Sequence, residues 1–214
     1  MFTRFRREAP KPARMDGERI ELPDPVSDSN TSIEEALHKR RSLREYQRGE
    51  LTLAEVGQLL CAAQGVTGPQ GQRTTPSAGA LYPLEVYLVS WEVAELAVGI
   101  YHYLPSEHAL LCRAKGDIQE ELSSASLGQE SLRQAAVIIV LTAVYERTAH
   151  KYGERAERYV HMEVGSVAQN VALQAESLGL GTVIIGAFRD DEVKKVLALP
   201  VDEHPLCLLP VGRK

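Results

Sequence analysis

One stretch decides the fold of this chain: residues 158–178, which read RYVHMEVGSVAQNVALQAESL. Apolar residues recur in it at helical spacing, and small residues form a second surface beside them. A helix with apolar or small residues on most sides is typical of a buried element. The spacing therefore predicts a long buried helix that ends at Gly179, packed in the protein interior or between two subunits. The apolar positions are Val160, Val164, Val167, Ala168, Val171, Ala172, Ala175 and Leu178, and the small-residue surface consists of Gly165, Ser166, Ala168, Gln169 and Ala172.

Shorter elements flank this helix on both sides. Capping-box patterns at Ser32 and Thr52 predict helices that begin near residues 33 and 53, and further helices are expected near 117–127 and after Asp190. Helices and strands interleave without the steady alternation of a doubly wound sheet, which favours the α+β class. Strands are predicted at 84–90, 99–103, 109–113, 135–144, 182–188 (TVIIGAF) and 205–212 (PLCLLPVG).

Composition limits the kind of protein. The chain has 214 residues, 44% of them hydrophobic, and a net charge of −5, which is typical of a globular protein and argues against a general nucleic-acid binder. The three cysteines are widely separated, and no apolar run is long enough to cross a bilayer, so we expect a cytoplasmic protein. Residues 1–30, rich in proline and charge, are expected to form an extended arm, and residues 31–214 a single domain.

A basic cluster, HKRRSLREYQR at residues 38–48, is the first candidate site. If the segment is helical, Arg40 and Arg44 lie one turn apart on one face with Ser42 between them, and Arg41 belongs to the same cluster. Two guanidinium groups and a hydroxyl suit a phosphate. The alternative is a solvated basic helix end that interacts favourably with the helix dipole.

Three further features of the sequence could indicate chemistry. Lys151 and Tyr152 lie between the strongest strand and the long helix, where either could transfer a proton, although an ordinary surface lysine and half-buried tyrosine are the alternative. In GLGTVIIG (179–186) the glycines follow a helix, unlike those of a dinucleotide-binding loop, but Gly186 inside a strand suggests close approach of a ligand. The histidines have no metal-ligand spacing, and no metal site is predicted.

Taken together, these stretches resemble the nitroreductase superfamily. RRSLREY, RTTPSAGALYPLEVYLV, KYGERAERYVHMEVGSVAQNVALQAESLGLG, VIIGAF and PLCLLPVG occur in the order found in that superfamily, over about residues 32–212. The PSAGALYP form and the Lys-Tyr pair look like its SagB-type dehydrogenase branch, which includes FMN-dependent azoline oxidases. The resemblance implies a nitroreductase-like α+β fold with a mostly antiparallel central sheet flanked by helices. It also implies a homodimer with FMN at the interface, where the long helix lies.

The resemblance also assigns roles at the phosphate end of the cofactor. Arg40, Ser42 and Arg44 match the RxSxR motif that grips the FMN phosphate and ribityl chain, and Arg41 lies within it. Arg213 falls near the position of a C-terminal basic phosphate ligand, a role that the final lysine of the chain could take instead.

At the flavin ring, the resemblance points to the loop TTPSAGALYP (74–83). A flat isoalloxazine suits small residues, which let the backbone approach closely, and prolines, which fix that approach. The ring-contacting residues that the resemblance implies are Pro76, Ser77, Ala78 and Gly79, in a loop that reaches the flavin from the partner subunit, Ile185 and Gly186, along the ring, and Gln129, as a polar contact.

The activity implied is hydride transfer through flavin N5. Lys151 and Tyr152 match the pair that azoline oxidases use to remove a proton, so the substrate would be a small molecule or a peptide-borne heterocycle. One alternative is a nitro or quinone reductase that uses NAD(P)H, although Ala80, Leu81 and Tyr82 stand where many nitroreductases carry polar residues. Another alternative is a non-catalytic subunit that binds flavin or a partner protein.

Overall fold

Seven antiparallel strands form a single sheet in the computed structural model, which describes residues 17–214. The expected α+β class with an antiparallel sheet flanked by helices is confirmed. The strands are β1 (Arg19–Glu21), β2 (Leu84–Ser90), β3 (Gly99–Leu104), β4 (Ala109–Lys115), β5 (Val137–Ala143), β6 (Leu180–Thr182) and β7 (His204–Arg213). Their order across the sheet is β1-β4-β3-β2-β5-β7-β6.

Helices cover both faces of the sheet, and each face has its own apolar core. The helices are α1 (Ile33–Lys39), α2 (Leu53–Gln64), α3 (Gln119–Ala125), α4 (Glu130–Gln134), α5 (Glu146–Tyr152), α6 (Ala156–Ser177) and α7 (Asp190–Val196). On one face α6 packs against α2 and α1, and on the other α3 packs against α4 and α7.

Strand β5 lies between β2 and β7, and all seven of its residues are buried. Alternate side chains enter opposite cores, Ile139 and Leu141 on the α6 side and Ile138 and Val140 on the α3 side. A strand that is covered on both faces has apolar side chains at successive positions, so its sequence is a continuous apolar run. This explains why the sequence predicts this strand so clearly.

The long helix α6 supplies much of the first core. Val160, Val167 and Val171 are fully buried in it, whereas Met162 on the opposite side is 61% exposed. Gly179 follows the helix with a φ of 71°, the left-handed conformation that ends many helices, as the sequence predicts. The helix is thus buried on one side and open on the other.

The basic segment after α1 is not helical, so the expected helical spacing of its arginines is wrong. The chain leaves the helix at Arg40, whose ψ is 125°, and Ser42 then forms a parallel bridge to Thr182. Leu43 packs against Gly181, where an added Cβ would overlap the leucine side chain. Pairing with the edge strand β6 therefore overrides helix continuation.

The strand predicted at 182–188 is shorter than expected. The ladder of β6 with β7 stops at Thr182 and resumes only as a single bridge between Ile185 and Leu208. The register places Pro210 opposite residue 183, and proline has no N–H with which to continue the ladder. The helix expected after Asp190 is present as α7, which includes Asp190 as its first residue and has Arg189 at its N-cap.

Part of the expected N-terminal arm packs on its own chain. Strand β1 pairs with β4, the Leu22 N–H donates to the His108 carbonyl at 3.1 Å, and the Val26 N–H donates to Gln58 at 2.9 Å. The remainder of the arm, residues 1–16, lies outside the described residues. The domain boundary at residue 30 stays a prediction.

Candidate active site

The small-residue loop 74–83 runs along α6 toward the start of that helix. The Thr75 hydroxyl donates to the Ala63 carbonyl at 2.8 Å and accepts from the Asn170 amide at 3.0 Å, which anchors the loop to α2 and α6. Residues Ala78–Ala80 then form one tight turn with Gly79 at its exposed centre, where φ is 65°. Glycine adopts this left-handed conformation without steric cost.

Lys151 and Tyr152 meet this turn at Gly79. A Cβ added to the glycine would lie 2.8 Å from the lysine Nζ and 2.9 Å from the tyrosine hydroxyl, so both polar ends converge on one point of the loop. The lysine is exposed, with Nζ 5.3 Å from the centre of the Tyr152 ring, and that ring also contacts Tyr159. The structure thus brings together two stretches that the sequence keeps about 70 residues apart.

Tyr82, at the end of the loop, is held on three sides. Its N–H donates to the Ser77 hydroxyl at 2.9 Å, and its carbonyl accepts from Arg147 at 3.1 Å. The Arg73 guanidinium lies 4.3 Å from the centre of its ring. These contacts fix Tyr82 at a φ of 47°, a conformation that non-glycine residues adopt rarely. Sequence analysis assigns a role to neither arginine: Arg147 lies in no motif, and Arg73 is the first residue of the motif RTTPSAGALYPLEVYLV but has no expected contact there.

Glu163 is a buried carboxyl behind the same loop. It projects from α6, is 3% exposed, and lies 3.4 Å from the amide nitrogen of Gln64. Burial raises its pKa above the ordinary value, an effect that hydrogen bonds from Ser77 and Gln64 and the charge of Arg73 oppose. The sequence did contain a signal, a glutamate on the apolar stripe of the long helix, where an acidic residue needs a reason to be buried.

The three arginines of the RxSxR segment have different surroundings. The Arg41 guanidinium donates to the carbonyls of His38 and Arg40 at 2.9 and 2.7 Å, which makes it a cap for α1. Among the described residues, no hydrogen bond or ion pair engages the side chains of Arg40 and Arg44. Arg40 and Arg44 are therefore the pair suited to a phosphate.

The backbone at Gly186 is exposed to solvent. The Ile185 N–H and carbonyl are both paired with Leu208 at 2.9 Å, so neither is free for a ligand. Gly186 is exposed, and an added Cβ would meet nothing within 4 Å. The Gln129 amide donates to the Ala187 carbonyl at 2.9 Å and to that of Ser126. The Gln129 side chain therefore stabilises the segment around Gly186. A contact between Gln129 and a flavin ring stays a prediction.

The basic C-terminus is already paired. The Arg213 guanidinium makes two bonds to the Glu55 carboxylate, at 2.5 and 2.9 Å, and one to the Glu50 carbonyl at 2.6 Å. Lys214 contacts Glu176 at 2.5 Å. This bidentate pair stabilises the start of α2, whose capping box uses the same Glu55. A phosphate role for Arg213 stays a prediction and would require it to leave that carboxylate.

The two groups of candidate residues lie toward opposite ends of α6. Gly79 contacts Lys151 and Tyr152 just before the helix begins, whereas Ser42 pairs with Thr182 beyond its other end. The helix has 22 residues, and a helix of that length is about 33 Å long. The two groups are therefore separated along this helix within one chain.

The residues present fit FMN in chemical character. The unengaged guanidinium groups suit the phosphate, and the uncharged loop with exposed Gly79 and the open backbone at Gly186 suit a flat ring. Within residues 17–214 no cluster of metal-ligating side chains occurs, and none of the helices is long and apolar enough to cross a bilayer.

Comparison with known protein families gives one match over most of the chain. The model of the Nitroreductase family matches residues 37–213. A protein of Methanocaldococcus jannaschii named as a nitroreductase, MJ1384, is 47% identical over 195 residues, which cover 91% of this chain and 96% of the relative. The Microcin B17-processing protein McbC of Escherichia coli is 32% identical over 158 residues, which cover 71% of this chain but only 58% of McbC.

Solved structures show the same architecture. A Ralstonia eutropha crystal structure described as that of a nitroreductase superimposes with a TM-score of 0.81 at 28% identity, covering 97% of this chain and 95% of the other. A chain of the E. coli microcin synthetase McbBCD complex, solved with truncated pro-MccB17 bound, superimposes with a TM-score of 0.71 at 29% identity, covering 93% and 79%. The resemblance seen in the sequence motifs is therefore confirmed at the level of the family and its fold.

Proposed function

The chain belongs to the nitroreductase family of oxidoreductases, and from that premise we propose that it is an FMN-dependent enzyme of the SagB dehydrogenase type. The observation that carries the proposal is the pair of unengaged arginines, Arg40 and Arg44, together with the Gly79 turn that meets Lys151 and Tyr152. When bound, FMN would supply a flavin N5 that exchanges hydride with the substrate. The chain itself would supply the binding, the orientation and the movement of a proton.

The proposed enzyme is a homodimer whose two sites are shared between subunits. The arginines of one chain would bind the phosphate, and the loop 76–79 of the other would lie against the ring. The separation of these groups along α6 supports this arrangement. So do the exposed apolar side chains of Ile33, Leu37 and Met162 on α1 and α6, each more than half exposed in the single chain.

Mixed dimers test the shared site directly. One chain would carry Arg40→Gln and Arg44→Gln, the other Gly79→Asp, and two different affinity tags would isolate the heterodimer. A homodimer of the double arginine variant and a homodimer of the Gly79→Asp variant should each bind little FMN. A heterodimer of shared sites contains one site with all the defects and one intact site, so about one FMN should bind per dimer. No recovery of FMN in the heterodimer would contradict sharing.

The proposed substrate is an azoline ring, either free or carried on a peptide. Lys151 or Tyr152 would take the ring proton while hydride leaves the neighbouring carbon, because their polar ends converge beside the loop. The similarity to McbC, which is named for microcin B17 processing, supports this choice. Lys151→Ala should slow oxidation of a synthetic azoline peptide at least tenfold and leave FMN bound, and unchanged oxidation would contradict the role of the lysine.

A second candidate is reduction of nitro compounds or quinones with NAD(P)H as donor. The relative of M. jannaschii named as a nitroreductase favours it. The two functions differ in how the flavin is reduced. NAD(P)H should bleach the flavin within seconds in a nitroreductase, whereas an azoline oxidase should be bleached by its substrate and recover with an electron acceptor such as oxygen.

A further inference from the structure

A chain of contacts connects Glu163 to the loop 76–82. The Glu163 carboxyl contacts the Gln64 amide at 3.4 Å, and the Gln64 carbonyl accepts from Arg73 at 3.0 Å. The Arg73 guanidinium stacks over the Tyr82 ring, and the Tyr82 N–H donates to the Ser77 hydroxyl. Glu163 lies in α6 and Gln64 in α2, and Arg73 precedes the loop, so these contacts connect the loop to both helices.

The Ser77 hydroxyl holds the other end of the loop. Its oxygen accepts the Tyr82 N–H at 2.9 Å. Tyr82 is therefore held at its ring by Arg73 and at its backbone by Ser77.

The loop requires such a restraint. Ala80 and Tyr82 both have positive φ, 55° and 47°, and a left-handed conformation costs a non-glycine residue roughly 1–2 kcal/mol. Strained backbone of this kind persists only where surrounding contacts fix it. The series of contacts from Glu163 through Gln64 to Arg73 supplies this restraint on one side of Tyr82.

We propose that Glu163 is a positioning residue that sets the conformation of the loop 76–82 through Gln64 and Arg73. Its effect on FMN binding rests on the function proposed above, but its effect on the loop does not. The carboxyl accepts from the Gln64 amide, the Gln64 carbonyl holds the Arg73 guanidinium, and that group fixes the Tyr82 ring. The backbone that would face the flavin is thereby preset before any cofactor binds.

The test compares two substitutions of similar volume. Glu163→Gln keeps an acceptor oxygen for the Gln64 amide, whereas Glu163→Met fills the space without one. Hydrogen exchange of the Tyr82 amide would be measured in the protein as purified and after addition of FMN. We expect Tyr82 protection to fall at least tenfold in Glu163→Met and less than threefold in Glu163→Gln. Glu157→Gln removes an exposed carboxylate from the same helix and should change nothing.

FMN affinity supplies the second measurement. Glu163→Met and Arg73→Met should each raise the Kd for FMN about tenfold, and the double variant should be no weaker than either, because Glu163 acts through Arg73. Equal Tyr82 protection in Glu163→Met and the parent would overturn the proposal. If Glu163→Met does not fold, the comparison is made with Glu163→Ala. Loss of Tyr82 protection in a chain that never binds FMN would contradict the proposed function and leave the role of Glu163 intact.

Discussion

Replacing Gly79 with alanine would insert a methyl group between the loop and the polar ends of Lys151 and Tyr152. The new Cβ would lie 2.8 Å from the lysine Nζ and 2.9 Å from the tyrosine hydroxyl. Each end would have to move by roughly 1 Å to reach an ordinary contact distance. Both are tips of flexible side chains, so the steric cost to folding is small.

The backbone contributes a separate cost. Gly79 has a φ of 65°, and alanine in the left-handed region loses roughly 1–2 kcal/mol. Gly71→Ala is a matched control, since Gly71 has a φ of 79° and an added Cβ there meets nothing within 4 Å. Urea unfolding should show a similar loss of about 1–2 kcal/mol in the free energy of unfolding for both variants.

Turnover should separate the two variants. A displacement of about 1 Å at a reacting group can cost up to 100-fold in rate, so azoline oxidation at equal FMN occupancy should fall about 10- to 100-fold in Gly79→Ala. Gly71→Ala should remain within about twofold of the parent, because nothing near it moves. Equal turnover in the two variants would refute the placement of Lys151 and Tyr152 at the reacting position.

Two further predictions concern the basic residues. Arg40→Gln and Arg44→Gln should each weaken FMN binding about 10- to 100-fold, measured by fluorescence titration. Arg41→Gln, which removes only a helix cap, should weaken FMN binding less than threefold. Equal losses of affinity at all three positions would refute this distinction. Arg213→Met should lower the free energy of unfolding by about 1–2 kcal/mol and leave FMN affinity unchanged; a tenfold loss of affinity would instead assign it to the phosphate. Burial would raise the pKa of Glu55, but hydrogen bonds from Arg213 and Thr52 outweigh it and lower that pKa below 4.5. The stabilisation is therefore present above pH 4.5 and lost as pH falls through the lowered pKa, so urea unfolding of the parent and Arg213→Met should converge in acid.

Much of the fold was predictable because hydrophobic periodicity records burial. The period of α6 and the continuous apolar run of β5 each reflect which faces meet the core. The N-terminal cap at Thr52 was equally predictable, since capping is a local interaction between a hydroxyl and a backbone N–H three residues away.

The errors arose where distant pairing decides local structure. Residues 40–44 look helical by composition, but Ser42 pairs with Thr182, more than a hundred positions away. The strand after Thr182 is interrupted by Pro210 on its neighbour, which local sequence does not reveal. Periodicity within one segment cannot encode either event.

The motifs of the candidate site were predictable from the sequence, but the side chains that hold the loop in place were not. The chemistry of phosphate binding and proton transfer singles out arginines and a Lys-Tyr pair, whatever their position in the chain. Arg147 in α5 and Glu163 in α6 support the loop from distant parts of the sequence, and only folding brings them close to it. The engagement of Arg213 by Glu55 likewise depends on the packing of β7 beside α2.

The most direct test of the central claim is the visible absorption spectrum of the gently purified protein, with the released cofactor identified and counted against the chain. The account predicts flavin bands and about one FMN per chain, since each dimer has two shared sites. A colourless protein that also fails to bind added FMN would contradict it and remove the basis for the proposed roles of Arg40, Arg44 and the loop at Gly79.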